Sequence, residues 1–211
     1  MFVAGSRTSW MGTRSWIWTG LVCLGGVASA QQPAQVSSHL IESGQVNLDG
    51  RSVPYRIRRL PVTSFPELPA AVADTLNQRE CLIPQTYEAH RPENVVHASL
   101  EYVGSSDWVV LCSSHGTVSL LVFFGSAQGD PTELAHSAET DRLQQHDGSG
   151  TLGFNWGIDP ASPQAVRQAQ SSMEHHPPLL DHDALADSVI DHRVVYHFYT
   201  KSKWTLVDMP E

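Results

Sequence analysis

Two apolar runs set around a tight turn constrain this chain more than any other feature. Asp107-Trp108-Val109-Val110-Leu111-Cys112 is followed by His115-Gly116 and then by Val118-Ser119-Leu120-Leu121-Val122-Phe123-Phe124. Short runs of β-branched and aromatic residues bounded by turn residues are strands, and strands without polar alternation are buried on both faces. The sheet that holds this hairpin must therefore carry it at its centre.

Other segments supply partners for that sheet. Asp49-Gly50 lies between Gln45-Val46-Asn47-Leu48 and Arg51-Ser52-Val53-Pro54-Tyr55-Arg56-Ile57-Arg58. This is the signature of a hairpin turn whose two central residues need positive φ, and Pro54 predicts that the second strand is an edge. The tail reads as strand, strand, turn, strand. Val194, Tyr196 and Phe198 share one face of its middle strand, and Val195, His197 and Tyr199 share the other. Residues 69–79 read as a helix that starts at Pro69 with a stripe of Val72, Ala73 and Leu76. A second helix starts from Ser162 as N-cap and Pro163 in its first turn, with Val166, Ala169 and Met173 on one stripe. Residues 81–92 and 125–150 read as loop, and Leu152–Ile158 as a further strand. The expected fold is α+β: an antiparallel sheet built from hairpins, with two short helices, as a single domain over residues 44–211.

Residues 1–30 read as a secretory signal. Arg7 and Arg14 precede a short apolar stretch that ends at Ala28-Ser29-Ala30. The stretch is too short and too interrupted by glycine for a membrane span, so export to the periplasm or medium is expected, with no stable span once the signal is cleaved. Residues 31–43 are polar and read as a flexible N-terminal segment. Cleavage would leave Cys81 and Cys112, which are expected to pair in an oxidising compartment. Closing that 31-residue loop is worth roughly 3–4 kcal/mol. The competing reading of Cys112 as a nucleophile with His115 is disfavoured, because a strand points residues of that spacing to opposite faces.

Acids outnumber bases 22 to 13, a balance of −9, which excludes a general nucleic-acid binder. Arg56, Arg58 and Arg59 make a small basic patch. It reads either as a solvated edge that blocks strand addition or as a site for an anion.

Asp107-Trp108-Val109-Val110 and Asp187-Ser188-Val189-Ile190 are alike, each followed by a turn and an aromatic-ended strand. With Asp181-His182-Asp183 ahead of the second copy, this segment resembles FG-GAP-type repeats, the blade units of integrin-like propellers. The resemblance implies an Asp-rich calcium loop followed by a strand. Cys81-Leu82-Ile83-Pro84-Gln85, Asp107–Ser113 and Asp181-His182-Asp183 also make the chain similar to a group of exported bacterial proteins of unknown function, which implies export and no particular chemistry.

Asp181, Asp183 and Asp187 are accordingly the candidate calcium ligands, since calcium takes six to eight oxygens and one tight loop can offer three carboxylates. Their alternative role is to cap turns. Eleven histidines raise the question of zinc. His175, His176, His182 and His192 crowd one segment, with His182 and His192 as the candidate transition-metal ligands, but H-E-x-x-H and C-x-x-C are absent. The G-x-S-x-G elbow of serine hydrolases is absent too. Two functions follow as expectations. One is an exported non-enzymatic binding or interaction protein of unstated protein or small-molecule ligand, with calcium as a structural ion. The other is a small exported metal-dependent hydrolase using the 175–192 segment.

Overall fold

The turn at Asp49 and Gly50 forms as its residues dictate, with φ of 50° and 79°. It joins β1 (Ile41–Leu48) to β2 (Arg51–Pro61). In the computed structural model, which describes residues 40–125, 129–172 and 180–208, this hairpin is one side of a nine-stranded sheet. The sheet continues through β3 (Leu82–Gln85) to β5 (Asp107–Ser114), β6 (Thr117–Phe123) and β7 (Thr132–Ala138). On the same side of β2 as β3, nearer the start of the strand, it takes in β9 (Leu152–Phe154) and through it β8 (Leu143–Gln145), and β4 (Val95–Ala98) pairs with β5. A second sheet of four antiparallel strands follows: β10 (Trp156–Ala161), β11 (Ala184–Val189), β12 (Arg193–Thr200) and β13 (Lys203–Asp208). The leader read at 1–30, most of the segment read as flexible, and His175 and His176 lie outside the described residues.

The expected α+β class is corrected. The described part of the chain is mostly β: 51% of the described residues are strand, and among them there are only two α-helices, α1 (Ala70–Gln78) and α2 (Pro163–Ala169). Both helices start where the sequence places them, and the Ser162 side chain accepts from the Ala165 amide at 3.2 Å. What escaped notice is strand. β3 and β8, in segments read as loop, have four and three residues, too few to display a period, and the single strand read at Leu152–Ile158 is two, β9 and the start of β10. β7 is a solvated outer strand whose pattern, TELAHSA, carries little apolar signal. Nor is the sheet wholly antiparallel, because β2 and β9 run parallel, Tyr55 opposite Leu152. Pro54 does not make β2 an edge. It pairs with Gln45 of β1 just short of the point where β9 joins the other side, so its missing N–H interrupts nothing.

Alternation along the central strands sorts the core into layers. Val109, Leu111, Val118, Leu120 and Val122 face the second sheet and pack with Trp156, Ile158 and Leu185. Trp108, Val110, Cys112, Leu121 and Phe123 face the other way, onto Val72 and Leu76 of α1. Ala184, Ala186, Phe198 and Val207 form the far side of the small sheet and receive Val166 of α2. The order is thus helix, large sheet, small sheet, helix. Cys81 and Cys112 form the expected disulfide, with Cα atoms 5.1 Å apart, tying the end of α1 to β5.

One side chain joins the two sheets. Asn94 sits at φ 68°, a left-handed conformation that asparagine tolerates better than most residues. Its Nδ2 donates to the Pro84 carbonyl at 2.7 Å and the Trp156 carbonyl at 3.2 Å. Its Oδ1 accepts from the Ile158 amide at 3.1 Å, and its own carbonyl accepts from the Leu111 amide. The carboxamide thereby meets β10 as a residue of a parallel strand would, opposite Gly157. Removing it leaves three buried backbone groups without this partner. Asn94→Ala is expected to cost about 2–3 kcal/mol, read as a lower urea midpoint. An unchanged midpoint would show that water replaces these bonds without loss.

Candidate functional site

The structure does not bring Asp181, Asp183 and Asp187 together. β11 begins at Ala184, so the chain is already extended beyond Asp183, and four extended residues span about 13 Å. Asp183 instead pairs with Ser99, its amide donating to the Ser99 carbonyl at 2.9 Å and its Oδ2 accepting from the Ser99 amide at 3.1 Å. Asp187 faces the layer between the sheets. Its Oδ1 accepts from Trp156 Nε1 at 2.6 Å and its Oδ2 from Nε2 of buried His197 at 3.0 Å. Arg142 lies 4.0 Å above the Trp156 ring. Burial lowers the Arg142 pKa, and the Asp187 charge opposes that shift. Asp181 is exposed. His182 is buried, and its Nδ1 donates to the Asp183 carbonyl at 3.0 Å, whereas His192 is exposed. Among the described residues no group of three or more His, Cys, Asp or Glu is placed to hold a metal ion. The two Asp-led strands that look alike in sequence lie in different sheets. Asp107 is fully buried and accepts from the amides of Leu100, Glu101 and Gly125 and from Ser105 Oγ.

One arrangement has the connectivity of a hydrolytic relay. Ser114 Oγ lies 2.8 Å from His115 Nδ1, and His115 Nε2 lies 3.3 Å from Glu80. The His115 and Glu80 side chains are 80% and 74% exposed. Water competes for each of these bonds there, and the low-dielectric setting that gives such a relay its strength is missing.

The arginine patch splits by strand alternation. Arg59 points inward with Ile57, where it is buried and forms a two-pronged ion pair with Glu139, itself held by Ser113 Oγ. Arg56 and Arg58 point out from the opposite face of β2, their Cα atoms about 7 Å apart. They line a groove of about 390 Å³ together with Thr86, Tyr87, His146 and Asp147. Arg58 Nη2 donates to the Ala89 carbonyl at 2.9 Å, which fixes it against the far wall. Arg56 makes no hydrogen bond or ion pair with any described residue.

The floor of this groove depends on a glycine. A Cβ on Gly153 would lie 2.5 Å from Tyr87 Cβ and 3.0 Å from the His146 ring. In that space the Tyr87 and His146 rings stack, 4.3 Å apart and 7° from parallel. The Tyr87 amide donates to the Phe154 carbonyl at 2.9 Å and its hydroxyl to Asp191 at 3.0 Å. Burial, followed by the hydrogen bond to Asp191, pushes the Tyr87 pKa up to about 12. Asp147 accepts from the Ser149 amide at 2.9 Å and from its hydroxyl at 2.5 Å, bonds that hold its carboxyl below the usual carboxylate range. Among the described residues of the groove no hydroxyl is bonded to an imidazole. Sequence reading found the arginines but not Tyr87, His146 or Asp147. The only local signal was the Asp147-Gly148-Ser149 turn chemistry.

Comparison of the chain with protein-family models, with curated proteins and with solved structures gave no match. Among the described residues no helix is long and apolar enough to cross a membrane.

Two outcomes follow. Asp187→Ala orphans Trp156 Nε1 and His197, and is expected to cost about 2–3 kcal/mol. The loss should be equal in calcium and in excess chelator, and a loss seen only with calcium would restore the metal role. In an absorbance titration one tyrosine should ionise near pH 12. Its folded pKa lies above the ordinary value of 10.0, so its contribution to stability is full below pH 10 and is lost between pH 10 and 12. Asp191→Asn should bring that ionisation down, and an unchanged titration would break the assignment.

Proposed function

We propose that this chain is an exported binding module that captures an anionic ligand in the groove between β2, β9 and the segment after β3. The observation that supports this most directly is Arg56. It is an exposed guanidinium with no hydrogen-bond or ion-pair partner among the described residues, beside a second arginine anchored by a backbone carbonyl, in a protein whose overall balance is −9. A cation that only solubilised an edge would not need a walled cavity or an aromatic pair seated over a glycine. The basic groove in an acidic protein favours contact recognition over long-range steering, because the summed field repels anions until they reach the arginines. The leader supports the exported setting.

The test is a two-dimensional NMR titration of the purified protein with citrate. Amides of Arg56, Gly153 and His146 are expected to shift together and saturate. Arg56→Ala with Arg58→Ala should weaken binding about 10- to 100-fold, the size expected for charged hydrogen bonds, while leaving the melting temperature within a few degrees. Shifts spread over the whole surface, or a double variant that saturates like the parent, would overturn the proposal.

A further inference from the structure

We infer that the ligand of this groove is an acidic saccharide, a uronic-acid unit whose carboxylate lies on Arg56 and Arg58 while its hydroxyls meet Asp147 and the neighbouring Thr86 and Ser149. This rests on the anion groove proposed above and narrows it.

The lining carries two chemistries in one cavity. Two guanidiniums offer paired N–H donors in the geometry that suits a carboxylate. Asp147, whose carboxyl Ser149 holds below the usual carboxylate range, offers acceptors, and Thr86, Ser149 and Thr151 also line the groove, the Thr86 hydroxyl donating to Glu93 and the Ser149 hydroxyl to Asp147. A bare anion has no use for a carboxylate wall and is repelled by it. A phosphate, with a charge near −2, suffers that repulsion more than a carboxylate does. A molecule with one carboxylate and several hydroxyls satisfies both walls. The stacked Tyr87–His146 pair adds an aromatic element to the lining, of the kind that packs on the non-polar face of a ring.

Peptides are disfavoured by the sheet itself. Extended peptides bind by adding to a free strand edge, and at the groove Tyr55 and Arg56 of β2 are already paired on both sides. β2 carries β1 on one side and β3 and β9 on the other, and β9 lies between β2 and β8.

Isothermal titration of the purified protein with four probes tests this: tri-galacturonate, its full methyl ester, tri-glutamate and inorganic phosphate. Tri-galacturonate is expected to bind saturably, at least 10-fold more tightly than the ester and the other two. Arg56→Ala should weaken it at least 10-fold. Asp147→Asn should weaken tri-galacturonate several-fold, because a hydroxyl acceptor becomes half donor, yet strengthen phosphate, because a repulsive charge is gone. That opposite response is one a merely structural role for Asp147 would not produce. No binding of tri-galacturonate, binding of the ester as tight as of the acid, or tri-glutamate or phosphate binding as tightly would overturn the saccharide inference. In the last two cases, or if citrate alone shifts the groove, a ligand-binding groove stands without it. If citrate fails as well, both fall.

Discussion

The contact on which the two sheets depend is a single carboxamide. Asn94 gives its N–H groups to Pro84 and Trp156 and takes the Ile158 amide, so the outer edge of β10 is closed by a side chain instead of by another strand. An open strand edge facing a core would leave peptide groups without water or partner, each costing more than a hydrogen bond gains. Asn94 is held in turn. Gln85 bonds both the amide and the carbonyl of Glu93, and Glu93 returns its carboxylate to the amide and hydroxyl of Thr86. The segment that delivers Asn94 is therefore fixed before Asn94 is placed, and it also carries Tyr87 to the groove.

The same device recurs through the molecule: polar side chains stand in for backbone. Asp107 gathers three amides and a hydroxyl at the mouth of β5. Asp183 and Ser99 exchange two bonds across loops that no strand connects. Glu139 and Arg59 join the end of β7 to the end of β2 by a side-chain ion pair. A mostly β protein with many strands of three or four residues has short ladders, and these bonds finish the ladders' ends. Two of the acids that looked like metal ligands, Asp183 and Asp187, have their oxygens spent on N–H donors inside the protein.

Legibility in the sequence followed the length of the element. The 107–124 hairpin, the Asp49-Gly50 turn, the tail strands and both helix starts were readable because each carries several residues of period or a turn with a stereochemical demand. The disulfide was readable from the cysteine count and the compartment implied by the leader. β3 and β8 were not, because four residues of Leu-Ile-Pro-Gln or three of Leu-Gln-Gln carry no period. Sheet order was out of reach for the same reason, since the strands that bridge the large sheet are the shortest. Of the groove, Arg56 and Arg58 were visible as a charge pair. Their separation from Arg59 needed the strand's alternation, and their neighbours come from residues some thirty and ninety positions downstream.

That distance has a consequence for when the groove exists. Its floor is the parallel pairing of Tyr55 with Leu152, and its wall is pinned by a hydrogen bond from Tyr87 to Asp191 across 104 residues. Contacts of such separation close large loops and form late in folding. A chain made from its N-terminus presents β1 and β2 long before β9, so Arg56 and Arg58 first exist as two unorganised charges. The groove is thus a property of the completed chain alone, and no N-terminal fragment that stops short of β9 can carry it.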